Sequence, residues 1–459
     1  MTGVGPRPDR PHRPATVRSE SDVHGFVART FFKIGPPGTV GIESEWFVVD
    51  DDHPGDAVPV ERVRRLLAGG EVLPAAGIVT FEPGGQVELS TAPAAGIAAA
   101  VTGLAADLGV VAGRLAGSGL RLVAAGTDPL RRPARQLDEQ RYAAMEAYFD
   151  TQGPAGRAMM TTTTAVQVCL DAGAGPADVR RRWWLANALT PLLVAAFANS
   201  PLHGGRPTGY RSARTAIWQR IDPTRTRSPQ GEDPVEAYAR YALDARVMVV
   251  RREAGGWLAD PGVTFREWVC GGLPRPPTED DLGYHLTTLF PPVRAREWLE
   301  LRAIDALPPP WWQVAVGVCA ALLDHPAASA TATTVVDRLG WADLAAPGRG
   351  NGAARWSGSG PPDRALALDR AARLGMADPG LRRAASSCLA AAAAALRRTP
   401  QTAGLAGCVE AYAERFVERG RTPADDVLDA FRAGVPPWRA VQAAGEPAPP
   451  IRQQEETHD

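Results

Sequence analysis

Residues 78–91, IVTFEPGGQVELST, constrain the fold more than any other stretch of the chain. An apolar, β-prone run comes first and breaks at the Pro-Gly-Gly of residues 83–85, which favours a bend or bulge. From Gln86 to Ser90, polar and apolar residues then alternate, so one face of a strand would carry acid, amide and hydroxyl groups. Such a face fits a half-exposed surface strand. It also fits a bent strand whose carboxylates bind a hard metal ion.

Two further strand patterns carry acids in the same way. Residues 39–50 predict a strand with Glu43 and Glu45 on one face, and a later pattern places Glu300 and Arg302 on one face. Acids on one face of a sheet repel each other unless a cation lies between them. Mg²⁺ is the candidate cation, because it takes oxygen ligands and usually joins protein carboxylates to nucleotide phosphates.

Composition restricts the kinds of partner. The chain has 459 residues, 45% of them hydrophobic, and a formal net charge of −1. This length allows a large core, and the near-zero charge gives no argument for a nucleic-acid partner. No apolar run is long enough to cross a bilayer, and the first 20 residues contain no apolar segment typical of a secretory signal. We therefore expect a cytoplasmic protein without membrane or nucleic-acid partners.

The basic residues are almost all arginine, since Lys33 is the only lysine. This excludes a P-loop and disfavours Schiff-base chemistry. Any bound phosphate must then be held by arginine and metal. The most cationic stretch, residues 209–227, interleaves arginines such as Arg214 with Trp218. It is either a binding segment for phosphate or carboxylate or a solvated basic loop.

Two more polar residues are candidates for the site. The β-branched run at residues 159–171 predicts another strand of the same sheet, with Gln167 and Cys169 on one face. His285 is isolated in the sequence. It could assist a proton transfer or be a structural histidine.

The order of these patterns predicts the domain organisation. Strands cluster in the first two-thirds and helices follow from Trp311, which argues for an α+β fold with a mostly antiparallel sheet. One folded domain is expected over residues 21–440, with an exposed Gly/Pro/Ser-rich loop at 346–362. Residues 1–20 and 441–459 are expected to be disordered.

At this point a family resemblance rests on long, ordered motifs. Between about residues 22 and 325, the chain resembles the glutamate–cysteine ligases of the plant and bacterial type. It is similar in particular to the actinobacterial members that supply γ-glutamylcysteine for ergothioneine synthesis. The motifs are GIESE at 41–45, FEPGGQVELS at 81–90, VQV at 166–168, AFANSP at 196–201, LFP at 289–291 and LELR at 299–302.

The resemblance implies a glutamine-synthetase-like sheet and an ATP-dependent ligase. MgATP would phosphorylate the γ-carboxylate of glutamate, and the amine of cysteine would then attack the acyl phosphate. The resemblance assigns the metal ions to Glu43, Glu45, Glu82, Glu88 and Glu300. It places Arg302 at the ATP phosphates, and Gln86, Arg214 and Trp218 near glutamate or its activated carboxylate. Arg302 and Arg214 are therefore the expected catalytic residues. The expected substrate-binding residues are Gln86, Trp218, Gln167 and His285.

Two other readings stay open at this stage. The enzyme could join glutamate to an amine other than cysteine, which only a substrate screen would distinguish. Alternatively, the chain could be a regulatory protein that binds metal and nucleotide without turnover. The oligomeric state is left open by the sequence.

Overall fold

The computed structural model describes residues 15–68, 72–340 and 364–445. The predicted loop at 346–362 lies outside these residues, as do residues 1–14 and 446–459 of the predicted disordered ends. Val17 is buried and donates its backbone N–H to the Pro277 carbonyl at 2.9 Å. Residues 15–20, which the sequence predicts to be disordered, are therefore part of the described fold. The last helix extends to Ala443, beyond the expected end of the domain.

The core of the fold is an antiparallel sheet built on the first long strand, whose inward-facing residues are apolar. This strand pairs with four others, and the six-strand path runs β2-β3-β1-β6-β10-β9, with β4 and β5 also on β1. All pairings between these strands are antiparallel, so the predicted α+β class with an antiparallel sheet is confirmed. The strands are β1 Thr39–Asp50, β2 Ile78–Phe81, β3 Val87–Ser90, β4 Ala94–Ala95, β5 Leu120–Val123, β6 Ala165–Asp171, β7 Leu202–His203, β8 Arg206–Pro207, β9 Val293–Ala295 and β10 Trp298–Asp305.

The stretch at 78–91 is a hairpin and not a single bent strand. β2 and β3 pair with each other from Ile78↔Ser90 to Phe81↔Val87, so the chain reverses completely at the Pro-Gly-Gly. Gly85 has φ +87°, a conformation that glycine adopts without strain. The prediction of a local bend was correct in position, but the turn is larger than a bulge.

Helices surround the sheet, and most begin at a serine, threonine, aspartate or proline, which suits a helix N-terminus. The run predicted as a strand from residue 159 is helical up to Thr162, and the strand begins at Ala165. The helices are α1 Glu20–Thr30, α2 Val60–Leu67, α3 Ile97–Ala116, α4 Gln140–Asp150, α5 Ala155–Thr162, α6 Pro176–Ala196, α7 Ala213–Trp218, α8 Pro223–Thr226, α9 Pro234–Asp244, α10 Phe265–Val269, α11 Glu279–Thr287, α12 Trp311–Asp324, α13 Pro326–Leu339, α14 Arg364–Leu374, α15 Pro379–Leu396, α16 Pro400–Tyr412, α17 Pro423–Arg432 and α18 Pro437–Ala443.

The helical last third packs on α6 and holds the segment that leads into α7. The Tyr412 hydroxyl donates to the Ala196 carbonyl at the end of α6 at 2.7 Å. The Ala372 carbonyl of α14 accepts the backbone N–H groups of Arg211 and Ser212 at 2.8 and 2.9 Å. The C-terminal helices therefore fix the start of α7.

Among the described residues, one helix, α3, is long and apolar enough to cross a membrane. Helices α12 and α13 would together make a second candidate only if they formed one span, and the angle between them is 94°. This is weak evidence for a span, because core helices of globular proteins have the same length and composition. Leu104, Leu108 and Val111 of α3 belong to the main hydrophobic core.

Candidate active site

An open cavity of about 310 Å³ lies on the polar face of the sheet. β1, the β2–β3 hairpin and β6 form one side of it, and β9 and β10 form the other. Helices α4, α5 and α7 close it. The cavity is lined by four of the five predicted acids, by five arginines and by predicted substrate contacts: Glu43, Glu45, Glu82, Glu88, Arg141, Arg214, Arg294, Arg296, Arg302, Gln167 and Trp218.

Strand pairing brings the acids together on one side of the cavity, which we call the acidic wall: Glu43, Glu45, Glu82 and Glu88. Glu45 lies directly opposite Glu88 in the β1–β3 pair. Glu43 lies opposite Gln167 in the β1–β6 pair. Cross-strand neighbours on one face lie about 4.5–5.5 Å apart, so the sequence alternation places these carboxylates side by side.

Burial and mutual repulsion raise the pKa values of three acids in this wall, Glu43, Glu45 and Glu82. Burial, followed by the charges of Glu300 and Glu88, raises the pKa of Glu43 to about 7. Burial and the charge of Glu88 raise the pKa of Glu82 to about 7. Burial, followed by the charge of Glu82, raises the pKa of Glu45 well above its ordinary value. The acidic wall therefore holds its full negative charge only with a cation nearby.

Hydrogen bonds orient two of these carboxylates. Glu45 accepts the Ala165 backbone N–H at 2.9 Å and the Gln167 amide N–H at 3.0 Å. Glu88 accepts the Thr80 hydroxyl at 2.8 Å. Each acid keeps acceptor capacity for a further partner, since a carboxylate offers about four lone-pair sites.

The hairpin turn places Glu82, and Gln86 holds the turn. The Gln86 side chain accepts the Gly84 N–H at 2.9 Å and donates to the Thr163 carbonyl at 3.0 Å. A Cβ at Gly84 would lie 2.2 Å from the Thr161 carbonyl oxygen, so only glycine fits there. Gln86 is buried and does not line the cavity. Gln86 thus supports the turn in this structure, and its contact with glutamate stays a prediction.

Glu300 differs from the other four acids, because arginines surround it. Arg294 donates to both of its oxygens, at 3.0 and 2.7 Å. Arg302 also donates to it, and Arg296 lies 3.8 Å away. Although burial alone would raise the pKa of Glu300, the charges of Arg294 and Arg302 hold it at about 2. Glu300 does not line the cavity, so the structure does not group it with the acidic wall. We call Arg294, Arg296 and Arg302 the arginine wall.

Asp305 fixes the position of Arg214 and α7. Its carboxylate accepts the Asn199 N–H at 2.9 Å and the Ser200 and Ser212 hydroxyls at 2.6 and 3.0 Å. Arg214 lies 3.9 Å from the same carboxylate and donates to the Arg302 carbonyl at 2.9 Å. Arg214 and Trp218, both predicted as site residues, thus reach the cavity from one anchored helix.

Four residues that line the cavity carry buried polar atoms without a hydrogen-bond partner in the described residues. These atoms are Gln167 Oε1, Arg214 Nε, Trp218 Nε1 and Arg302 Nε. Buried polar groups are nearly always satisfied in folded proteins, so a concentration of exceptions marks a place where a ligand binds. All four residues were predicted from the sequence.

His285 lies away from the cavity. Its Nε2 is 2.9 Å from the Ala242 carbonyl, and its ring stacks on Phe265 at 4.8 Å. Burial, followed by the charge of Arg225, lowers its pKa to about 3. The neutral, buried ring favours the structural alternative for His285, while its Nδ1 has no partner among the described residues. A role in substrate binding stays a prediction.

Helices α4 and α5 supply residues that sequence patterns did not indicate. Arg141 lines the cavity and donates to the Thr287 hydroxyl and carbonyl at 2.8 and 3.0 Å. Burial, followed by the charge of Glu82, raises the pKa of the adjacent Tyr142 to about 12. Met145 and Met159 add apolar surface. No strand-like spacing connects these helical positions to the acids.

The chemistry of the acidic wall fits Mg²⁺, although no group of three or more His, Cys, Asp or Glu side chains within residues 15–68, 72–340 and 364–445 forms a complete metal site. All four donors are carboxylates, which are hard oxygen ligands. Mg²⁺ usually binds through one or two carboxylates, with waters and substrate phosphates completing its coordination. A site of this kind needs no three-ligand protein cage.

Comparison with known proteins now decides the family. A family model described as glutamate–cysteine ligase family 2 matches residues 39–456. The chain belongs to this family. It is 39% identical over 428 residues to "Glutamate--cysteine ligase EgtA" of Mycobacterium tuberculosis, covering 91% of this chain and 92% of that protein. The chloroplastic glutamate–cysteine ligase of Medicago truncatula is 35% identical over 244 residues, covering 50% of this chain and 47% of that protein.

Solved structures agree on the fold. A glutamate–cysteine ligase of Francisella tularensis, solved in complex with AMP, has a TM-score of 0.50 at 13% identity and covers 91% of this chain and 90% of its own. A bifunctional glutathione synthetase from Pasteurella multocida has a TM-score of 0.52 at 14% identity, covering 94% of this chain and 54% of its own. At such low identity these similarities concern the fold alone.

Proposed function

We propose that the protein joins the γ-carboxylate of L-glutamate to the amine of L-cysteine with hydrolysis of ATP to ADP and phosphate. The observation that carries this proposal is the cavity with an acidic wall facing an arginine wall, in a chain of the glutamate–cysteine ligase family. The product is γ-glutamylcysteine. Its expected use is in ergothioneine biosynthesis, following the EgtA relatives.

The reaction has two bond-forming steps. In the first, an oxygen of the γ-carboxylate attacks the terminal phosphorus of ATP, and ADP leaves. In the second, the neutral amine attacks the carbonyl carbon of γ-glutamyl phosphate, phosphate leaves and the nitrogen loses a proton. Phosphoryl transfer asks the protein mainly to position the reactants and neutralise charge on the phosphate oxygens.

The residues divide between these tasks. Arg302, with an unpartnered Nε, is placed to bind a phosphate. Arg214, Trp218 and Gln167 carry the other unpartnered polar atoms and are placed to bind glutamate. A carboxylate accepts two parallel hydrogen bonds from an arginine, which suits Arg214 to a carboxylate of the substrate.

Glu43, Glu45, Glu82 and Glu88 would hold Mg²⁺, which would neutralise the negative charge that develops during phosphoryl transfer. Glu300 could join this set only by giving up an arginine partner. A reaction that consumes ATP also needs the compartment in which ATP is made, which supports the cytoplasmic location predicted from the sequence.

The test is phosphate release from MgATP with glutamate, with candidate amines added one at a time and products identified by mass spectrometry. Release that depends on cysteine, with γ-glutamylcysteine as product, is the expected result. L-2-Aminobutyrate, in which a methyl group replaces the thiol, is the matched amine that reports whether the thiol is recognised.

Other outcomes point elsewhere. Release with a different amine keeps the chemistry and changes the acceptor. Absence of release with every amine, in a protein that still binds MgATP, would support the regulatory alternative. The Glu88→Gln variant measured in parallel excludes a contaminating ATPase.

A further inference from the structure

The arginine wall contains two residues that no sequence pattern assigned to the site, Arg294 and Arg296. Arg294 follows the start of β9, opposite Glu300 of β10 in the strand pairing. Both arginines line the cavity together with Arg302. The β9–β10 hairpin therefore presents three guanidinium groups to the acidic wall across the cavity.

These three cations share one carboxylate. Arg294 and Arg302 donate to Glu300, and Arg296 lies 3.8 Å from it. The side chains of Arg294 and Arg302 are only 12% and 13% exposed, and Arg296 is 31% exposed. Arginine stays protonated at all accessible pH values. Glu300 balances only one of these three charges, and the other acids that act on Arg302, Glu43 and Glu45 across the cavity, have raised pKa values themselves and so balance the arginines only in part.

Two buried arginines elsewhere in the described residues each have a carboxylate of their own as counter-charge. Arg225 is paired with Asp222 at 3.1 Å and donates to the carbonyls of Thr288 and Arg246. Arg182 is paired with Asp324 and donates to the Leu323 carbonyl. An unmatched buried charge is costly unless a partner arrives. The contrast indicates that the arginine wall is completed by an anionic ligand.

The charge of the arginine wall indicates which kind of anion binds there. A polyphosphate carries several negative charges along its length, whereas each amino-acid substrate brings isolated carboxylates. Arg214, which already has Asp305 as a counter-charge 3.9 Å away, stands apart and suits a single carboxylate. We propose that Arg294 and Arg296 bind, together with Arg302, the polyphosphate of a nucleoside triphosphate. This rests on the proposed function for the identity of the ligand as ATP.

The experiment measures binding of a non-hydrolysable ATP analogue with Mg²⁺ by calorimetry, without amino acids. The variants are Arg294→Gln and Arg296→Gln, and the matched control is Arg240→Gln, an exposed arginine paired with Glu236 on α9. We expect about a tenfold or greater loss of affinity in Arg294→Gln, because a charged, bidentate donor is removed. A loss of about threefold is expected in Arg296→Gln, because its side chain is more exposed.

The affinity of Arg240→Gln for the analogue should equal that of the wild type. In the steady state, the KM for ATP should rise in Arg294→Gln while the KM for glutamate stays within about twofold. If Arg294→Gln does not fold, Arg294→Lys decides, since it keeps the charge but loses the planar fork. That variant should bind the analogue more weakly than the wild type.

Two results would overturn the assignment. Folded variants that bind the analogue as tightly as the wild type would show that the arginines do not contact phosphate. A raised KM for glutamate or for the amine, with unchanged analogue affinity, would assign them to a carboxylate. Analogue binding by the wild type without ligation of any amine would instead contradict the proposed function and leave this inference intact.

Discussion

The two walls of the cavity treat the same residue type in opposite ways. Burial, with Glu300 and Glu88 nearby, raises the pKa of Glu43 in the acidic wall to about 7. Glu300, which the arginine wall surrounds, is more deeply buried than Glu43, yet Arg294 and Arg302 hold its pKa at about 2. Burial alone penalises both charges, and the neighbours decide the outcome.

This difference shows which charge each wall of the cavity lacks. The acidic wall cannot keep its charge without a cation, whereas the arginine wall has balanced one anion and still carries a positive excess. MgATP, the ligand proposed above, would bring both missing charges in one molecule. Variants that remove one charge at a time can therefore test the two walls separately.

The largest effect is expected from Glu88→Gln in the acidic wall. The amide keeps the size of the side chain and an acceptor for Thr80, but it removes a proposed metal ligand. We expect kcat/KM to fall by about 1,000-fold, since the metal contributes several kcal/mol to charge stabilisation. Phosphate release measures the loss, and circular dichroism should show an unchanged fold. Glu297→Gln, which alters an exposed acid, is the control. Wild-type turnover in Glu88→Gln would contradict the assignment of the acidic wall to a metal site.

The next effect is expected from Arg302→Gln in the arginine wall. Loss of a preorganised cation at the phosphates should lower kcat by about 100-fold. Rapid-quench measurement of γ-glutamyl phosphate formation should place the loss in the first chemical step. Arg29→Gln, an exposed pair with Glu279, should react at the normal rate. A variant slowed only in the attack of the amine would contradict a phosphate role for Arg302.

A smaller effect is expected from Gly84→Ala at the turn that places Glu82. The added methyl group would lie 2.2 Å from the Thr161 carbonyl oxygen. The turn must therefore move, which should cost about 1–3 kcal/mol of stability and weaken Mg²⁺-dependent activity. Urea unfolding measures the cost. Gly109→Ala on α3 is the matched control, because a Cβ there meets nothing within 4 Å. Equal stabilities of the two variants would mean that the hairpin tip is not constrained.

The smallest effect is expected in the pH dependence of stability without metal. The folded-state pKa of Glu82 is about 7 and its ordinary value is 4.5, so the folded protein binds the extra proton between these pH values. Stability is therefore lost as the pH rises through this window. Glu82→Gln should be more stable than the wild type by roughly 1–2 kcal/mol at pH 8, with little difference at pH 5. Thermal unfolding in EDTA tests this prediction. A constant difference from pH 5 to 8 would contradict charge repulsion in the acidic wall.

Alternation along strands made the acids predictable. Glu43, Glu45 and Glu88 needed only a period of two and correct strand assignments, and the strand pairing then brought them together. The same parity connects Arg294 and Arg296 with Glu300, so a signal for the arginine wall was present in the sequence. This signal is hidden in the sequence, because the three residues of β9 are too few to show a strand pattern.

Other features could not be read from local patterns. A Pro-Gly-Gly suits both a bulge and a full reversal, and only the pairing of β2 with β3 distinguishes them. Gln86 and His285 are polar residues whose partners lie far away in the chain, at Thr163 and Ala242. A sequence does not indicate which polar groups are already satisfied within the fold. Arg141 reaches the cavity from a helix, where spacing carries no information about a sheet.

The cations that line the cavity are all arginines, and this limits how the site can respond to alkali. A lysine would lose its proton near pH 10, whereas a guanidinium does not titrate in the accessible range. Burial, followed by the charge of Glu82, raises the pKa of Tyr142, the tyrosine of this cavity, to about 12. Because the acceptor amine reacts in its neutral form, its own pKa sets the pH at which the rate stops rising, and the cavity residues add no titration that would lower the rate again below about pH 12. Replacing one acceptor by another of lower basicity should therefore move this rise of the rate profile to lower pH.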